Sequence, residues 1–152
     1  LKSKDEAARG NLDAAAQDFE QALRAVPDGP ADEMLREAMR QMIVVAHRHE
    51  DTLEQLFIDP AANTSMAMGS LTGRLLDPAM ALLARLKATD ELRPVADMIL
   101  ARTFLALFLG MVASERAVPQ VARIAMRIFP ERVWVDGMVD LLLYGVLEDK
   151  AR

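Results

Sequence analysis

Cysteine is missing from all 152 positions of this chain. Disulfides, thiolate metal ligands and cysteine nucleophiles are therefore excluded, and a reducing, cytoplasmic setting is expected. Histidine is scarce: His47 and His49 stand alone, and two residues apart they do not share a helix face, so they are no helical metal pair. No Gly-x-Ser-x-Gly turn, glycine-rich phosphate loop or His-Glu-x-x-His helix occurs. No catalytic residue, metal or cofactor is expected, and no enzyme. Basic charge is also short, with 18 Lys and Arg against 23 Asp and Glu, a net charge of −5 and no Lys/Arg stripe. A free-standing nucleic-acid binder would be basic, so this chain alone is a poor one. The most apolar run, 104–113, is too short to span a bilayer, and no membrane partner is expected.

What is abundant is Leu, Ala, Met and Val, in an apolar fraction of 52%. That is above the usual range and points to buried helices with a partner surface. Good helix formers dominate, and no stretch alternates convincingly at period two, so the fold class is all-α. The length suits one domain over 1–152.

The spacing predicts a first helix over 4–26, with Ala8, Leu12, Ala15, Phe19, Ala22, Leu23 and Val26 on one stripe. Ser3 and Glu6 form a capping-box pattern at its start. Pro27-Asp28-Gly29-Pro30 stops it. A second helix, capped by Asp32, is expected to run on to Ile58, with Leu35, Ala38, Met39, Met42, Val45, His49, Leu53 and Leu56 on one face. Region 61–88 reads as a bent helix or two short ones, broken at Asp77-Pro78 because the residue before proline resists the helical conformation. After a loop at Thr89-Asp90-Glu91 come a long helix over 93–116, a short one over 119–128 and a last one over 130–148.

The two long C-terminal helices are apolar on nearly every side, and a helix of that kind needs partners on more than one face. One face meets its own domain. The other is expected to meet a second chain, through Phe104, Phe108, Met111, Trp134, Met138, Leu141, Leu142 and Gly145. Asp136 and Asp140, like charges one turn apart, are expected to find bases across that interface. The methionines of the earlier helices suit an adaptable apolar pocket. Its expected lining is Phe19, Met42, Val45, His49, Met66, Met98 and Arg102, with Phe57 as a further aromatic wall. The guest would be a small apolar or amphipathic effector.

At the front of the chain, Leu1-Lys2-Ser3-Lys4-Asp5-Glu6 resembles the point in the TetR family of transcription regulators where that family's DNA-reading helix-turn-helix passes into its ligand domain. Val139-Asp140-Leu141-Leu142-Leu143-Tyr144-Gly145-Val146 is similar to its last helix. The resemblance implies a C-terminal regulatory domain, a helical bundle whose last two long helices form a four-helix bundle in a homodimer. It implies a ligand-responsive regulator, expected to be a repressor, that touches DNA only through a helix-turn-helix upstream of residue 1. Lys2 and Lys4 would then sit near backbone phosphates, where helix N-terminal amides also attract anions. A competing resemblance, Gly10 through Pro27 to half of a tetratricopeptide repeat, implies a protein-interaction scaffold instead, but the pattern does not return one period later.

Overall fold

The computed structural model describes residues 2–58, 64–91, 96–117, 128 and 130–146. Every regular element among them is an α-helix: α1 (Lys2–Arg24), α2 (Ala31–Arg48), α3 (Glu50–Ile58), α4 (Thr64–Lys87), α5 (Asp97–Ala117) and α6 (Glu131–Val146). The short helix expected over 119–128 falls almost wholly outside the described residues; Ile128 is an exposed turn residue.

One apolar cluster takes in residues from all six helices. α1 packs on α2 and α4, α4 on α5, and α2 on α6. The stripe expected of α1 is buried from Ala15 through Phe19 and Leu23 to Val26, while Leu12 is half-buried and Ala8 exposed. The first turns of α1, Lys4 and Glu6 through Asn11, are exposed on every side and project beyond the core. α1 passes Gly10 without a break, so the turn a repeat scaffold would need there is absent.

Four local expectations are corrected. The second helix does not run unbroken to Ile58. It ends at Arg48, His49 takes φ −109° and ψ 30°, and α3 starts at Glu50. His49 still donates its N–H to Val45 O and accepts from Leu53 N–H, so the two segments meet as an elbow. Conversely, Asp77-Pro78 does not break α4, which holds Pro78 inside it. An internal proline costs about 3 kcal/mol. Leu71, Leu75, Ala79, Leu82 and Leu86 bury one continuous stripe across that point, and each buried leucine contributes about 1.5–3 kcal/mol, so burial wins.

Nor does Asp32 cap α2. Pro30 occupies the cap position, and the free amide of Ala31 donates to Glu91 Oε2 at 3.3 Å. Glu91 reaches there because α4 ends in a tight turn. Thr89 Oγ1 donates to Leu86 O at 2.7 Å, and Asp90 adopts a left-handed φ of 56°, which aspartate tolerates better than most side-chain-bearing residues. At the front, Ser3 lies inside α1, which begins at Lys2, so it is not the cap residue.

Candidate functional site

α5 and α6 each have an inner and an outer face. On α5, Leu100, Phe104, Phe108 and Val112 recur every four residues and are buried, with Ala101 and Leu105 beside them. On α6, Val135, Val139, Leu142 and Leu143 do the same. At 100° per residue the opposite faces point outward, and they carry large apolar side chains among polar ones such as Arg102, Thr103 and Asp140. Met98 and Ile99 on α5, and Val133, Trp134 and Leu141 on α6, are all substantially exposed, Leu141 at 72%.

The two helices are not closely packed on each other. A groove of about 300 Å³ lies between them, lined by Ala106, Leu107, Gly110, Met111, Ser114, Trp134 and Met138. Ala106, Gly110 and Ser114 form a floor of small residues, one turn apart. A Cβ added at Gly110 or Gly137 would meet nothing within 4 Å, so the outer surface is open at both.

The residues expected at a subunit interface are therefore split. Met111, Trp134, Met138 and Leu141 lie on the outer surface or in the groove. Phe104 and Phe108, each 1% exposed, and Leu142 point into their own chain's core and have no area left for a partner; that part of the expectation is corrected. The apolar spacing identified the helices but not which side faced home, because both sides are apolar. Gly145 lies within α6, its surroundings outside the described residues. The window Asp97–Ser114 has a mean hydropathy of 1.6, long and apolar enough by those measures alone to cross a bilayer, with 33% of it buried.

The expected effector site is also divided. Phe19, Met42 and Val45 share the core with Met34 and Met39. Phe19 meets Phe108 edge to face, ring centroids 5.4 Å apart at 70°. Met98, in the first turn of α5, and Arg102, on its outer side, are both exposed and do not line a site with the buried Phe19; this corrects their assignment. His49 is engaged by α1, its Nε2 lying 2.6 Å from Asp18 Oδ2. The side chains of Phe57 and Met66 lie outside the described residues, as does that of Lys2; Lys4 is exposed on the projecting part of α1.

The bases that Asp136 and Asp140 were expected to find come from their own chain. Arg36 of α2 donates to Asp136 Oδ1 at 2.9 Å and to Asp140 Oδ1 at 2.7 Å. The bond to Asp140, followed by that to Asp136, raises the pKa of the Arg36 guanidinium above its already high ordinary value. These residues line a second groove, of about 620 Å³, with Arg40, Glu131 and Arg132. Three arginines face three carboxylates there, so the groove offers no net charge to an ionic guest.

Sequence reasoning missed the ion pairs that join helices far apart in the chain. Arg74 of α4 holds Asp13 and Glu20 of α1, and Arg85 holds Asp28 and the carbonyl of Val26. No local pattern signals a partner 54 to 61 residues away. Among the described residues no group of three or more His, Asp or Glu could hold a metal. No family model matches the chain, and no curated protein or solved structure proved similar to it.

Proposed function

We propose that this chain is the effector-sensing and pairing part of a ligand-responsive transcription regulator of the TetR type. The observation that carries the reading is the outer face of α5 and α6. Trp134 and Leu141 are exposed beside a trough floored by Ala106, Gly110 and Ser114, and Met138, which packs partly on the core, lines the same trough, so apolar surface remains exposed along both helices. Large exposed apolar patches mark interaction sites. A two-fold axis between two such faces lets the same patch serve both partners, burying each ridge against the other's trough. Standard interfaces bury roughly 800 Å² per partner, which two helices of 21 and 16 residues are long enough to supply.

The projecting turns of α1 support the second half of the reading. They carry exposed polar and small residues away from the core, which suits an element whose direction is read elsewhere. An effector acts by preferring one setting of α1 over another, and only to the extent of that preference. The interior that would receive it is filled by Phe19, Met34, Met39, Met42 and Phe108, so a guest enters by displacing flexible thioethers.

The experiment is a thermal-shift screen of the chain with small amphipathic molecules, run beside light scattering of its molar mass. A two-chain mass and a ligand-raised melting temperature are expected. A one-chain mass at every concentration, with no ligand raising the melting temperature, overturns the reading.

A further inference from the structure

We infer that two ionic clasps grip α1 on opposite flanks, and that each ties it to a weak point of a neighbouring helix. Measured from the buried Phe19 at about 100° per residue, Asp13 and Glu20 fall roughly 100–120° to one side of α1, and Asp18 roughly 100° to the other. On the first side Arg74 of α4 donates to Asp13 Oδ1 at 2.8 Å and to Glu20 Oε1 at 3.3 Å. On the second side Asp18 accepts from Arg48 at 3.3 Å and lies 2.6 Å from His49 Nε2.

The anchors are not placed in the middle of regular helix. Pro78 has no N–H to give to the carbonyl of residue 74, so Arg74 sits on the turn of α4 that lacks a hydrogen bond. His49 is the elbow residue between α2 and α3. Helices bend most easily at such points. The apolar contact beneath, Ala15, Phe19 and Leu23, is non-directional and leaves α1 free to roll or slide by small amounts. Charged pairs on both flanks remove that freedom. Flexing α4 at Pro78, or the elbow at His49, therefore pulls on one flank of α1 and turns its projecting N-terminal part. This deepens the regulator reading, for which α1 must change direction, but the clasp is a property of the chain alone and is tested without ligand or DNA.

The lack of cysteine makes the test clean. Spin labels are placed at Ala8→Cys, on the projecting turns of α1, and at Ala84→Cys, on the exposed side of α4, and the labelled chain is diluted with unlabelled chain. Double electron–electron resonance is expected to give one narrow distance. Arg74→Gln or Asp18→Asn is expected to shift its mean or at least double its width, and both together to do more than either. Arg40→Gln, which removes only a pair within α2, is expected to leave it unchanged. Circular dichroism establishes that each variant is folded. Should one unfold, the clasp is opened from its other side, by Asp13→Asn with Glu20→Gln in place of Arg74→Gln, or by Arg48→Gln in place of Asp18→Asn, and the same broadening is expected. Unaltered distances in the folded clasp variants overturn the inference, whatever the fate of the regulator reading.

Discussion

Arg36 Nη2 lies 2.7 Å from Asp140 Oδ1, and the same guanidinium spans one turn of α6 to reach Asp136. One arginine of α2 thereby orients the whole of α6, because it fixes two points on a single helix face. The position of α6 in turn decides that Trp134 and Leu141 face outward.

Replacing Arg36 by Met is expected to remove that orientation and leave two carboxylates one turn apart without their base. Both carboxylates are more than a third exposed, so solvent screening limits the loss to about 1 kcal/mol. For a chain of this size that corresponds to a fall in melting temperature of roughly 2–4 °C. Thermal unfolding followed by circular dichroism checks it, and an unchanged midpoint would show that α6 is held by its apolar face alone.

Asp18 gives a pH dependence with a definite sign. Its hydrogen bond to His49, outweighing the opposing effect of burial and aided by Arg48, lowers its pKa below the ordinary carboxylate value. A carboxylate whose folded pKa is depressed adds stability above its unfolded pKa of about 3.9, and loses it as pH falls through the lower folded value. The protein is therefore expected to be more stable than Asp18→Asn at pH 6, and the two denaturation curves are expected to converge in acid as pH falls through the lowered folded pKa. A constant gap across that range would mean that Asp18 stabilises by something other than its charge.

Phe108 and Gly110 separate core from surface on one helix. Phe108→Ala removes a buried ring that meets Phe19, and is expected to cost about 3–5 kcal/mol of stability in urea denaturation. Phe108→Glu is likewise expected to unfold the chain rather than to give folded monomers, because the side chain faces inward. Gly110 faces open space, where glycine in a helix costs about 1 kcal/mol relative to alanine. Gly110→Ala is expected to raise the melting temperature slightly, whereas Gly110→Phe is expected to weaken self-association by filling the trough.

The helices themselves were legible in the sequence because their apolar residues recur at helical spacing, as Leu35, Ala38, Met39, Met42 and Val45 do on α2. Their ends were less so. No proline or glycine marks the elbow at His49, and the proline that suggested a break at 78 is overridden by leucines on either side. Glu91 caps α2 across 60 residues, a distance at which sequence patterns carry no signal. For the candidate site, an all-round apolar helix reveals that partners exist without saying which side meets which. Trp134, Leu141, Phe104 and Phe108 read alike as interface residues, yet the first two are exposed and the last two lie in the core. The expected pocket residues fared similarly, because Met98 and Arg102 share a helix with the buried stripe but are exposed, Met98 in the first turn and Arg102 on the outer side.

The most direct measurement is the molar mass of the chain in solution, by sedimentation equilibrium, for the unsubstituted protein and for Leu141→Glu. Leu141 is 72% exposed, so the substitution is expected to leave the helical fold intact. The account predicts twice the mass of one chain for the unsubstituted protein and a single-chain mass for the folded variant. A single-chain mass for the unsubstituted protein across the concentration range, or a two-chain mass that Leu141→Glu leaves untouched, would contradict it.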